Sequence, residues 1–98
     1  MPAYLIADVT VTDPDRYPDY VRLVPATLEP FGGRFIARGG ATETLEGVWR
    51  PQRLVIIEFP SLERARAWYH SPEYAPAKEL RQRYSEGRLI FVEGVPPD

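Results

Sequence analysis

The alternation of apolar and polar residues divides the chain into strand, helix, strand, strand, helices and strand. Over Ala3–Val11 the period is two: Leu5, Ala7, Val9 and Val11 share one face, and Tyr4, Ile6, Asp8 and Thr10 the other. Thr12-Asp13-Pro14 interrupts this pattern, with Asp13 suited to an N-cap and Pro14 to the first helical position. Tyr17, Val21, Val24, Leu28 and Phe31 then recur at spacings of four and three, one stripe of a helix. Pro18 and Pro25 each remove an i→i−4 hydrogen bond, which predicts a loose first turn and a kink near Pro25. Gly32-Gly33 ends the helix.

Arg34–Gly40 reads as the second strand, with Phe35 and Ala37 opposed to Arg34, Ile36 and Arg38. Ala41–Gly47 is expected to be extended after a bulge or bend at Gly39-Gly40, with a turn over Val48–Gln52. Arg53–Phe59 is apolar on both faces through Leu54-Val55-Ile56-Ile57, the mark of a central strand. Ser61 is placed to cap a helix over Leu62–His70, and Ser71-Pro72 to open another over Pro72–Ser85 with Tyr74, Ala77, Arg81 and Tyr84 on its stripe. Glu86-Gly87 should end it, Arg88–Val95 should form the last strand, and Val95–Asp98 a frayed tail.

The order βαββαβ is that of the ferredoxin-like split βαβ unit: an α+β fold, an antiparallel four-stranded sheet with helices on one face, here one domain over residues 1–98. Leu5/Ala7/Val9/Val11, Phe35/Ala37, Val55/Ile57/Phe59 and Ile90/Val92 are assigned to the helix side. The opposite set is Tyr4/Ile6/Asp8, Arg34/Ile36/Arg38, Leu54/Ile56/Glu58 and Leu89/Phe91/Glu93, too apolar for open solvent. A second copy packed sheet to sheet would cover it. The expectation is a two-fold homodimer, a dimeric α/β barrel, with Ile56 and Phe91 at the interface and Trp49 of the middle connection clasping the partner.

Charge and composition narrow the partners. Twelve basic and 14 acidic residues are interspersed, giving −2, so neither nucleic acid nor an anionic membrane is expected to bind. No apolar run approaches the ~18 residues of a membrane span. Met1-Pro2-Ala3-Tyr4 shows no signal-peptide pattern, and a cytoplasmic location is expected. With no Cys and one His, His70, no metal site is expected. No glycine loop has nucleotide-binding spacing, so no cofactor is expected. Eleven Arg, 11 Pro and no Asn fit a heat-adapted source and a GC-rich genome equally.

Several short motifs occur in order along nearly the whole chain: Gly32-Gly33-Arg34-Phe35, Arg38-Gly39-Gly40, Leu45-Glu46-Gly47, Glu58-Phe59-Pro60-Ser61 and Trp68-Tyr69-His70-Ser71-Pro72-Glu73-Tyr74. In these the chain resembles the uncharacterised bacterial family DUF1330, itself similar to the dimeric α/β-barrel superfamily. The resemblance implies a ferredoxin-like protomer and a sheet-to-sheet dimer, and no established activity. Superfamily relatives include cofactor-free monooxygenases, haem-degrading enzymes and lactone isomerases. Several of these oxygenases hold substrate with an Asn, which this chain lacks.

Candidate chemistry lies in three groups. Asp8 and Glu58 fall on neighbouring strands and are expected to adjoin, and paired carboxylates raise one pKa toward that of a general acid. Arg38 is positioned to orient a substrate carboxylate, with Trp68, Tyr69 and Tyr74 lining an aromatic pocket. The competing readings are ion pairs across a dimer for the charges and plain core for the aromatics. His70 reads as a helix-end residue, and Ser61 and Ser71 as caps. The functional expectation is a small homodimer that binds an anionic or aromatic organic molecule, with cofactor-independent isomerase or monooxygenase chemistry. The alternative is a non-catalytic assembly or partner-recognition module.

Overall fold

In chain order the elements are β1 (Ala3–Val11), α1 (Tyr17–Leu28) with a 3-10 extension over Glu29–Phe31, β2 (Arg34–Arg38), β3 (Leu54–Phe59), α2 (Leu62–Tyr69), α3 (Ala75–Tyr84) and β4 (Ser85–Glu93). The structure, a computed structural model, describes residues 1–96, so Pro97 and Asp98 of the expected tail lie outside it. The strands are antiparallel in the order β2-β3-β1-β4, the ferredoxin-like arrangement.

Local chemistry accounts for the element ends. Asp13 Oδ1 accepts from the N–H groups of Asp15 and Arg16 at 3.2 Å, holding a turn that leads into α1. Pro25 lies inside α1, which continues to Leu28, and Gly32 at φ 72° ends the 3-10 turn in the left-handed region. Ser61 Oγ accepts from Arg64 N–H at 3.1 Å and caps α2. Ser71 Oγ donates to Trp68 O at 2.7 Å and accepts from Tyr74 N–H at 3.1 Å, tying the corner between α2 and α3.

All helices lie on one face. Ala3, Leu5, Ala7, Val9, Ile57 and Phe59 are buried beneath them with Val24, Leu28, Ala65, Trp68, Tyr74 and Ala77. The Trp68 and Tyr74 rings sit 4.0 Å apart, and Phe59 meets Trp68 at 5.4 Å. Trp68 Nε1 donates to Thr27 Oγ1 at 3.0 Å, and that hydroxyl donates to Val24 O at 2.7 Å, so the buried indole has its partner.

Four expectations change. β4 begins at Ser85, directly after α3, and Gly87 pairs with Val9 instead of ending a helix. Register then sets the phase of β4: Leu89 lies opposite Ala7 and Phe91 opposite Leu5, so both face the helices, while Ile90 and Val92 are 61% and 43% exposed on the open face. Phe91 is therefore a core-side residue, its ring 6.2 Å from Tyr69, and not part of an open-face interface. Leu89-Ile90-Phe91-Val92 is apolar at every position, so only pairing with β1 could fix its phase. Ala41–Gly47 forms no strand; the β2–β3 connection is irregular, bridged at its base by Gly39 N–H donating to Leu54 O at 2.8 Å.

The fourth change is in β2. Its pairing with β3 shifts between Phe35 and Ala37, so Ala37 pairs with Ile56 and Arg38 with Val55. This bulge turns Arg38 to the helix side, away from Arg34. Ile56 lies opposite Ile6, on the open face as expected.

Trp68→Ala is expected to lower unfolding free energy in urea by about 3–5 kcal/mol, from lost burial and the cavity left behind. A loss below about 1 kcal/mol would mean that this cluster is not the packed centre of the fold.

Candidate functional site

Between the sheet and α1 lies a narrow hollow of about 20 Å3, room for one water-sized group. Its floor is apolar, with Leu5, Ala7 and Val9 from β1 and Val55 and Ile57 from β3. Its polar groups are Tyr17 and Tyr20 from α1, Arg81 from α3, and Arg38 and Arg53 from the β2–β3 edge. Among the described residues lining it there is no acidic side chain.

Arg81 occupies a stripe position of α3 and is 5% exposed. Its Nε donates to Tyr74 Oη at 3.2 Å and its Nη2 reaches Tyr69 Oη at 3.5 Å. Tyr74 Oη is also 3.1 Å from Tyr20 Oη, which makes a chain from α3 to α1. Burial raises the pKa of both Tyr20 and Tyr74, so each phenol stays protonated and acts as a neutral hydrogen-bonding group. Gly87 lies beside the guanidinium, but the group a Cβ there would crowd is Leu89, whose Cδ1 would be 2.9 Å away, with Arg81 Nη1 at 3.4 Å.

At the other end, Arg53 Nε is buried without a hydrogen-bond partner, and its guanidinium carbon stands 5.6 Å from the centre of the Tyr17 ring. Gly39, at φ 71°, permits this: a Cβ would come 2.5 Å from Arg53 Nη1. Arg38 bridges the mouth. Its Nη2 donates at 2.7 Å to Val21 O, the carbonyl that Pro25 cannot satisfy because it lacks an N–H, and its guanidinium lies 4.1 Å from the Phe35 ring centre.

The expected residues separate. Arg38 lines the hollow, whereas Trp68 and Tyr74 are 0% exposed in the core, and the Tyr74 and Tyr69 hydroxyls meet Arg81 from outside the hollow. Tyr69 and His70 border a shallow groove against β4, and Lys78 Nζ lies 4.4 Å from the Tyr69 ring centre. Asp8 and Glu58 do not adjoin: Asp8 pairs with Leu54 and Glu58 with Tyr4, four residues along the strands and about 13 Å apart. Tyr17 and Tyr20 belong to the aromatics that the sequence offers for such a hollow, whereas Arg53 and Arg81 are not expected there from sequence. The available signal was an arginine in the apolar phase of a helical stripe, one turn past Ala77 and two past Tyr74.

On the open face Asp8 organises a second arrangement. Its carboxylate accepts from Trp49 Nε1 at 2.8 Å and Gln52 N–H at 3.1 Å, and Arg88 Nη2 stands 3.3 Å away. The indole hydrogen bond most strongly holds Asp8 below the usual carboxylate range, opposed by burial and aided by Gln52 and Arg88. This clasp fastens the β2–β3 connection to the sheet and borders an open hollow of about 600 Å3 lined by Ile6, Val48, Trp49, Arg50 and Ile90. Glu58 accepts from Arg34 Nε at 2.7 Å. Among the described residues no cluster of three or more His, Asp or Glu could hold a metal ion, and no helix is long and apolar enough to cross a membrane.

Fold and site together define a ferredoxin-like α+β domain with an arginine- and tyrosine-lined hollow between sheet and helices. The chain belongs to the family described as Domain of unknown function (DUF1330), matched over residues 2–95. Among solved structures it resembles a protein of unknown function from Rhodopseudomonas palustris, at 24% identity and TM-score 0.75, covering 98% of this chain and 84% of that one. It also resembles SnoaB, a cofactor-independent oxygenase from Streptomyces nogalater, at 11% identity and TM-score 0.67, covering 98% and 95%. A dimeric ferredoxin-like protein of unknown function from Jannaschia sp. CCS1 is similar at 12% identity and TM-score 0.67, covering 96% and 100%. A comparison with curated proteins returned no match. These likenesses establish the fold.

Because the folded pKa of Asp8 is depressed, its contribution to stability is present above the unfolded value and is lost as pH falls through the folded one. In 13C NMR its carboxyl is expected to titrate below the ordinary aspartate value of about 3.9, and Trp49→Phe to raise that midpoint. A midpoint unmoved by Trp49→Phe would show that the indole does not hold the carboxylate.

Proposed function

We propose that the protein is a two-fold homodimer, sheet against sheet, whose hollow between sheet and helices binds a small organic molecule and supports cofactor-independent isomerase or oxygenase chemistry on it. The observation that carries the ligand site is the buried Arg81–Tyr74–Tyr20 chain, a polar device that an apolar core does not need. Arg38 orients the ligand from the mouth. Tyr20, backed by Tyr74 through their shared hydrogen bond, donates to the ligand, and the guanidinium groups stabilise negative charge as it develops on a ligand oxygen. Asp8 and Glu58, tied to Trp49, Arg88 and Arg34 outside the hollow, take a structural role in this reading. SnoaB, described as a cofactor-independent oxygenase, shows that such chemistry occurs on this fold.

The dimer rests on the open face. The protein is a slab only 16 Å thick across its Cα atoms, one sheet and one helix layer. It exposes 6503 Å2, about 800 Å2 more than a monomer of this size should, and about 800 Å2 is one partner's share of a standard interface. Ile90, Val92 and Ile36 supply apolar surface there. The Jannaschia protein of the same fold is described as dimeric. A second reading, a non-catalytic assembly module, is favoured by one observation: the hollow holds only about 20 Å3. Ligand entry therefore requires Arg38 to swing outward.

Sedimentation equilibrium at micromolar concentration is expected to give twice the protomer mass, and Ile90→Asp to return the protomer. A wild-type protomer would overturn the dimer. A fragment screen by 1H–15N NMR is expected to shift amides of Tyr17–Val24. If no fragment moves them, the non-catalytic reading prevails.

A further inference from the structure

We propose that the occupant of the hollow is a planar organic oxyanion, of which a carboxylate is the simplest form. This rests on the reading of the hollow as a ligand site and adds the ligand's charge. The ion pairs among the described residues join Arg22 to Asp19, Arg34 to Glu58, Arg83 to Glu79 and Arg88 to Asp8. The arginines of those pairs are largely exposed, where water would serve nearly as well. The three arginines of the hollow take part in none of them. Two of the three, Arg81 and the buried Nε of Arg53, are charges held away from water without an anion, in a chain whose net charge is −2.

Arg81 makes the case sharpest. At 5% exposure its guanidinium meets only phenol oxygens, Tyr74 Oη at 3.2 Å and Tyr69 Oη at 3.5 Å, and burial keeps the nearer, Tyr74, protonated, so that it does not neutralise the charge. A buried charge in that condition is destabilising unless another group completes it. Arg53 adds an independent sign: its buried Nε–H has no acceptor, although Gly39 is bare to admit the group. Arg38 needs no anion, because Val21 O already satisfies one of its donors. It is exposed, so its side chain can turn aside on a fast timescale and enlarge the mouth.

The hollow offers an oxyanion the donors of Arg81, the Tyr20 hydroxyl and Arg53 Nε–H, and offers its planar body the apolar floor of Ala7 and Val9. Charge selects the ligand, and the floor favours an aromatic or unsaturated body.

The test uses benzoate and its neutral counterpart benzamide, titrated into full-length 15N-labelled protein while the arginine Nε–H signals are followed. Benzoate is expected to shift the Nε–H signals of Arg53 and Arg81 together with amides of Tyr17–Val24, with benzamide at least about tenfold weaker, as loss of charge-assisted hydrogen bonds implies. Arg81→Met should weaken benzoate by about tenfold or more; should that variant fail to fold, Arg53→Gln is expected to change affinity in the same direction. Equal binding of benzoate and benzamide at these signals would overturn the oxyanion and leave the ligand site standing. Binding of neither would overturn the ligand site itself. Benzoate that moves surface amides but not the two Nε–H signals would overturn the assignment to the hollow.

Discussion

Taking a guanidinium out of water costs several kcal/mol unless an anion or a full set of acceptors meets it, and Arg81, 5% exposed, meets two phenol oxygens and no carboxylate among the described residues. The surrounding structure is arranged about that group. Tyr74 is fixed by Ser71 at the corner before α3, which aims its hydroxyl at Arg81 Nε. Tyr20 on α1 meets the same hydroxyl, so the two helices are joined through it. Elsewhere the buried polar groups close among themselves: Trp68 finds Thr27, and Ser71 finds Trp68 O and Tyr74 N–H. At the hollow the set stays open.

Much of the fold was legible because it is written in short-range terms. β1 alternates cleanly, so its boundaries and its buried face follow from period two alone. The proline and serine signals at Pro14, Ser61 and Ser71 locate helix starts to within a few residues. The β strand order follows from element order. Phase was not legible where every position is apolar, as in Leu89–Val92, because burial then depends on a partner strand far away in sequence. Nor was the bulge at Ile36 visible. One extra residue moves Arg38 across the sheet and carries a predicted open-face charge into the hollow.

The candidate site was only partly legible for a related reason. Asp8 and Glu58 lie on adjacent strands, but adjacency of strands says nothing about register, and register separates them by four residues. Asp8 gains a role no local pattern shows, because Trp49 and Gln52 reach it across a 41- to 44-residue separation. Trp68 and Tyr74 are recognisable as aromatic partners from helix spacing, yet one is wholly core and the other core with a polar tip. Arg81 shared the apolar stripe with Ala77, and its stem alone explained its position there. The charge at the end of that stem is what carries the functional reading.

A residue kept for binding and a residue kept for folding respond oppositely to replacement by an apolar group of similar length. The unliganded stability of Arg81→Met, measured by urea unfolding against the wild type, separates them most directly. Met retains the stem, leaves the Tyr20–Tyr74 hydrogen bond intact and removes the unpaired charge. The account predicts a variant that resists urea better than the wild type, as expected where a binding group is held at the expense of stability. A variant clearly less stable than the wild type would contradict it and make Arg81 a structural tie between α3 and its neighbours.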